Sequence, residues 1–313
     1  MTVVSNDPSW WPSINLYRIS SYYTVAAYAV LMYDWVLTFG QEVELILQRQ
    51  RWSLMTVLYL IVRCGGMFYA VTSISFAVPT ISTTDAGCLV INDTLAWTSD
   101  IIKIILDVIM IARLHAMYQR SRNVLIFLVV TLLATRIVIA VMIAIIMTKI
   151  SGEEFVLSGT YQCAISYVGD SLFLASMTWV LSTVWEVLVL CLAVWITVKH
   201  IRELRRRSTG SIIGDCFKVL MQTHVSYFAS FVVVSCFRIG LSSQMLSAIG
   251  YPLGYQIYAS LVQIIQVVQT FVLGPRLILS IREYTAELAA SSDAATAMTS
   301  IAFQEQVSTS STV

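Results

Sequence analysis

Between Val124 and Met147 the chain is almost unbroken Leu, Ile, Val, Ala, Met and Phe, interrupted only by Thr131, Thr135 and Arg136. As a helix this segment would reach roughly 36 Å at 1.5 Å per residue. That exceeds the ~30 Å hydrocarbon core of a bilayer. The segment is the clearest of several. Of 313 residues 58% are hydrophobic and 12% charged, with a mean hydropathy of +0.77. That charged share is about half the usual one for a soluble domain, and a water-soluble fold could not cover so much apolar surface. At ~20 residues per crossing, seven helices would use roughly 140 residues and leave about 170 for loops and tails.

Spans are expected at 20–39, 54–78, 95–117, 124–148, 172–198, 218–240 and 255–274. All five prolines lie in loops or at span ends, and only Gly65 and Gly66 sit inside a span. Residues 1–19 carry no apolar core of signal-peptide type, so the first span is expected to act as its own signal. Orientation follows from the basic residues. Segments 39–53, 113–123, 198–218 and 275–313 hold two, three, six and two Lys or Arg, thirteen of the nineteen. The opposite side holds only Arg18 and Lys149. The positive-inside rule then puts the amino terminus outside and the carboxyl terminus in the cytosol.

The expected fold is therefore all-α: a polytopic seven-transmembrane helix bundle. Residues 1–19 form an extracellular segment, 20–283 the membrane domain, and 284–313 a disordered cytosolic tail rich in Ser and Thr. Residues 276–283 have the pattern of a short helix on the inner membrane surface. On the outer side, Cys88 and Cys163 are the two loop cysteines and are expected to pair in an oxidising compartment. Asn92-Asp93-Thr94 is the one glycosylation sequon, placed on the same side. The basic loop at Lys199–Arg207, with Arg205, Arg206 and Arg207 at its end, reads either as anchoring against anionic lipid or as a docking site for a cytosolic effector.

Ionisable side chains inside a membrane cost ~2.5–3.5 kcal/mol each on insertion scales, so they turn inward and find partners. The spans hold Asp34, Asp100, Asp107 and Glu186 against Arg63, Lys103, Arg136 and Arg238, four of each sign. Asp100, Lys103 and Asp107 stand at i, i+3 and i+7 on one helix face, where Lys103 can reach both carboxylates. Asp107, Arg136 and Glu186 lie near the midplane of three successive spans. This layer reads either as a ligand pocket or switch, or as a salt-bridge network that fixes helix packing.

Other chemistry is not signalled. No phosphate loop or nucleophile elbow occurs, and the seventh span has no lysine for a retinal Schiff base. His115, His200 and His224 fall toward the cytosolic side with Asp34 but lack metal-ligand spacing, so no metal and no cofactor is expected. With a net charge of +1 there is no basic field for nucleic acid.

Tyr33-Asp34-Trp35-Val36-Leu37-Thr38-Phe39-Gly40, followed by Glu42-Val43-Glu44 and by Trp52-Ser53-Leu54 through to Arg63, resembles the signature of a family of fungal (basidiomycete) membrane proteins. The family is catalogued as domain of unknown function 6533, and the resemblance covers about residues 22–67. Further similar stretches are Arg113–Tyr118 and Arg276–Leu279; His224 departs from the pattern, which has an acidic residue there. The resemblance implies the membrane topology, makes Tyr33, Asp34, Thr38, Glu42 and Arg63 signature residues, and assigns no activity. A looser architectural likeness is to G-protein-coupled receptors, without their D-R-Y or N-P-x-x-Y motifs. The reading is a receptor-like sensor of the plasma membrane without catalytic activity. It would take a small-molecule or peptide ligand and a cytosolic effector. The alternative is a transporter or permeation pathway built on the polar layer.

Overall fold

The computed structural model describes residues 3–43, 54–118, 121–206, 225–226, 228–241 and 253–275. The fold is mostly helical. Helix α1 spans Trp11–Glu42, α2 Leu54–Ala77, α3 Asp85–Met117, α4 Arg122–Met147 and α5 Ser171–Arg206. Helix α6 covers Phe228–Leu241, and α7 covers Leu253–Val267, prolonged by a π-helical turn at Val268–Leu273. The expected tail at 284–313, the surface helix at 276–283 and His224 lie outside the described residues.

Among the described residues, four helices are long and apolar enough to cross a membrane: Thr56–Ala77, Arg122–Met147, Ser171–Lys199 and Gly254–Leu273. The chain is a multi-pass membrane protein on that basis. Helix α4 shows how such a helix is oriented. It buries Leu128, Leu132, Arg136, Ile139 and Ile146, while Ile126, Val130, Leu133, Ile137 and Val141 stand exposed. A soluble helix would put polar groups on that outer stripe; here both faces are apolar, and beyond the first residue, Arg122, the one charge, Arg136, points inward.

Helix α3 is the central element. One core cluster joins it to α1, α2 and α7 through Tyr28, Tyr59, Ile102, Leu106, Val267 and Phe271. A second joins it to α4, α5 and α6 through Met110, Leu114, Leu128, Trp185, Val189 and Phe228. The two span glycines serve close packing. A Cβ at Gly66 would lie 2.8 Å from the Phe271 ring, and one at Gly65 3.4 Å from Ile102.

The all-α expectation needs one correction. Between α4 and α5 the chain forms a hairpin, β2 (Ile150–Leu157) and β3 (Thr160–Tyr167), joined at Ser158–Gly159 with φ values of 48° and 80°. Two successive left-handed residues are what a tight hairpin turn demands. Strand β1 (Val3–Ser5) pairs in parallel with β2, completing a three-stranded sheet. A loop emerging from a bundle must satisfy its backbone polar groups, and strand pairing does so within the segment itself. The helices also start earlier than hydropathy indicates. Helix α1 begins at Trp11, with Pro12 in its first turn, and α3 begins at Asp85.

The hairpin is fastened to the start of α3 at three points. Cys88 and Cys163 form a disulfide with a Cα–Cα distance of 5.8 Å. The Glu154 backbone N–H donates to Asp85 Oδ1 at 2.8 Å, and the Thr83 N–H donates to Glu154 Oε1 at 2.7 Å. The Glu154 amide holds the Asp85 carboxyl below its usual value.

Candidate functional site

Two ionic nodes lie inside the bundle. In the first, Arg63 on α2 reaches α1: Nη1 donates to Asp34 Oδ2 at 3.1 Å and Nη2 donates to Thr38 Oγ1. All three residues are buried. Of the other signature residues, Tyr33 is two-thirds exposed and points away from this node, and Glu42 is the last residue of α1.

The second node binds α3 to α4. Arg136 Nε donates to Asp107 Oδ2 at 2.8 Å, Nη2 donates to the same oxygen, and Nη1 donates to Asp100 Oδ1 at 3.1 Å. The sequence expectation had Lys103 between the two carboxylates; the structure gives both to Arg136. A guanidinium presents several donors in a fixed plane and can hold two acids from a neighbouring helix, which one ammonium on the same helix cannot match.

Lys103 turns instead toward α5. Its Nζ stands 4.0 Å from the centroid of Trp179, and the Arg238 guanidinium carbon on α6 stands 4.1 Å from the same ring. Each contact with an indole face is worth ~0.5–2 kcal/mol, depending on desolvation. Two helical turns beyond Trp179, Glu186 Oε2 accepts from Ser235 Oγ at 2.5 Å, tying α5 to α6. The midplane charges thus knit α3, α4, α5 and α6 together.

Above this layer, toward the hairpin, lies a cavity of about 370 Å³. Asn92, Leu95, Ala96, Ser99 and Lys103 line it along one face of α3, and Gln263, Gln266, Val267, Thr270 and Phe271 along one face of α7. From Asn92 to Lys103 the depth is roughly 16 Å at the rise of an α-helix. Tyr28, Tyr69 and Phe271 form an aromatic wall, with ring centroids 6.3 Å and 5.5 Å apart in succession. Trp179 and Arg238 close the bottom. A chamber of about 40 Å³ continues below, lined by Lys103, Asp107, Arg136, Glu186, Ser235 and Gln269 among others. Gln269 is 4% exposed, and its Nε2 donates to nothing among the described residues.

The structure therefore brings Asp100, Lys103, Asp107, Arg136 and Glu186 into one region around the two cavities, and places Asn92 at the cavity wall within α3. Arg205 and Arg206 end α5, far from this region along the helix, and Arg207 is outside the described residues. A cavity bounded by the third to seventh spans and pinned by Cys88–Cys163 is what the sequence suggests, but it singles out no residue of α7. Its signal was available: Gln263, Gln266 and Thr270 recur at i, i+3 and i+7, a polar stripe on an otherwise apolar helix. Tyr28, Tyr69 and Ser235 carried no such signal, because isolated hydroxyls are common in apolar helices. Among the described residues, no group of three or more His, Cys, Asp or Glu side chains is arranged to hold a metal ion.

No curated protein matches the chain. Residues 22–68, which run from α1 into α2 and contain Asp34, Thr38 and Arg63, match the model of a family of unknown function, DUF6533.

Proposed function

We propose that the chain is a seven-span, receptor-like sensor of the plasma membrane, with its amino terminus outside, its carboxyl terminus in the cytosol and no catalytic activity. The observation that carries this reading is the 370 Å³ cavity between α3 and α7, which ends on charged residues shared among four helices. Its volume is that of a small-molecule site. A ligand seated there would touch Lys103, Trp179 and Arg238 directly, and so would bias how α3, α5 and α6 pack.

Three features support the topology. Helices α1 and α3 have 32 and 33 residues, ample for a crossing; tyrosines in the first and inward charges in the second lower their hydropathy. The hairpin end carries the disulfide, as an oxidising side would. The opposite end carries Arg113, Lys199 and Arg202, as a cytosolic side would. Helix α5 continues beyond Trp195 to Arg206 and would present its basic end to a cytosolic effector.

Alanine at Arg205, Arg206 and Arg207 is expected to abolish effector recruitment in cells while leaving the surface level intact. Recruitment that survives the triple substitution overturns this assignment. A permeation pathway is the second reading, favoured by the chamber that continues the cavity past Lys103 toward Asp107 and Glu186. Solute flux in proteoliposomes that depends on Asp107 or Arg136 would decide for it.

A further inference from the structure

We infer that the cavity beneath the hairpin binds a small organic carboxylate, its charge held by Lys103 and Arg238 beside Trp179 and its apolar body against Tyr28, Tyr69 and Phe271. The inference rests on the sensor reading and names the chemistry of what is sensed.

The pairing of charges in the layer is uneven. Asp100, Asp107 and Glu186 lie around Lys103 and Arg136, so a network built only for packing could give Lys103 an acid of its own. Instead Arg136 takes both aspartates, and Glu186 accepts from Ser235. Asp100 and Glu186 act on Lys103 electrostatically. Among the described residues, however, no carboxylate comes within ion-pair distance of its ammonium. A cation kept inside a membrane protein without an acid is costly, and such residues mark ligand or ion sites.

The cavity itself is one-sided in charge. Among the described residues its lining includes Lys103 and Arg238 and neither Asp nor Glu. The Trp179 ring attracts the Lys103 ammonium without neutralising it. Below them the buried Gln269 Nε2 has no acceptor among the described residues, a further donor that an acceptor-bearing occupant or its bound water would satisfy. Cations and unmet donors together select an anion and repel an amine. The formal charges of the layer already cancel, so one added negative charge is matched by polarisation of nearby donors, whereas a phosphate dianion would leave a larger uncompensated charge in a low-dielectric site. The three-ring wall and the 370 Å³ volume fit an aryl or branched aliphatic body.

The test uses purified full-length protein in lipid nanodiscs, with phenylacetate, benzoate and indole-3-acetate as probes. Phenylacetamide and phenethylamine serve as the neutral and cationic counterparts. Thermal unfolding and tryptophan fluorescence give the readouts. A saturable rise in Tm with at least one carboxylate, and none with the amide or the amine, is expected. Lys103→Gln and Arg238→Gln should each weaken that binding at least tenfold. Lys103→Arg, which keeps the charge, should bind within a few-fold of the parent and controls for misfolding. Preference for phenethylamine, no response to any carboxylate, or carboxylate binding unchanged in a folded Lys103→Gln variant would each overturn the inference. Failure of the sensor reading looks different. Lys103-dependent carboxylate uptake into proteoliposomes would retain the anion site and remove the sensor. Effector recruitment triggered by an amine would retain the sensor and remove the anion site.

Discussion

Arg63 and Asp34 meet across the α1–α2 interface with Nη1 3.1 Å from Oδ2 and both side chains almost wholly buried. Thr38, one turn along α1, accepts from the other terminal nitrogen and itself donates to the Asp34 carbonyl at 2.9 Å. The guanidinium is thus held from two sides by residues a single helical turn apart. Asp34→Ala should lower stability by about 3–5 kcal/mol, the cost of breaking a buried ion pair by removing one partner. The double variant Asp34→Leu with Arg63→Met should recover most of it, because both charges of the pair leave together. Thermal unfolding in detergent checks both, and equal losses for single and double variants would contradict the argument.

Arg136 carries a heavier electrostatic role because two carboxylates depend on it. Arg136→Leu should destabilise by at least the ~3–5 kcal/mol of a broken buried pair. Adding Asp107→Asn should restore part of the loss, since one of the two stranded charges disappears. Arg136→Lys should fall between, keeping the charge while losing the fork. The ranking of the three melting temperatures is the measurement.

The disulfide closes 75 residues of sequence separation, linking the start of α3 to β3. Cys88→Ser should lower stability by about 2–4 kcal/mol. A reducing agent should produce the same fall in the parent and none in the variant, read by thermal unfolding and by mobility on non-reducing gels.

Gly66 is a packing glycine. Gly66→Ala would set a methyl 2.8 Å from the Phe271 ring, and the expected cost is about 1–3 kcal/mol for overpacking. Because the obstruction is a side chain, Phe271→Leu in the same protein should relieve it. Failure of the second substitution to help would place the strain in the backbone.

Asp85 links the hairpin to acid conditions. Its carboxyl is lowered from 3.8 chiefly by the Glu154 N–H. A depressed carboxylate contributes stability that is fully present above the unfolded value and is lost as pH falls through the folded one. Docking of the hairpin should therefore be unchanged from neutrality down to about pH 5 and weaken only below 3.8. Hydrogen exchange at the Glu154 amide reports it, and Asp85→Asn should abolish the acid transition.

The apolar segments were legible because hydropathy is additive along the chain. Val124–Met147 needs no partner to be recognised, and the depth of Asp107 and Arg136 follows from counting residues. The placement of Asp34 and Arg63 at similar depth was equally readable. Element boundaries were not. Beyond the bilayer a helix needs only its backbone ladder, so α1 and α3 extend to Trp11 and Asp85 through polar residues that hydropathy treats as loop. The hairpin escaped for a related reason, since its pairing of Glu154 with Cys163 is set by a turn at Ser158–Gly159 and not by an apolar alternation.

Hydropathy and composition alone establish that this chain enters a membrane and which charged residues stand inside its apolar segments. Those are properties of single residues and their spacing. It took the packed bundle to give Arg136 both aspartates, to bring Lys103 and Arg238 to Trp179, and to set the polar wall of α7 opposite α3. Helical periodicity gives each side chain an angle about its own axis, whereas a contact depends on the rotation and offset of two helices, which close packing of the whole bundle sets.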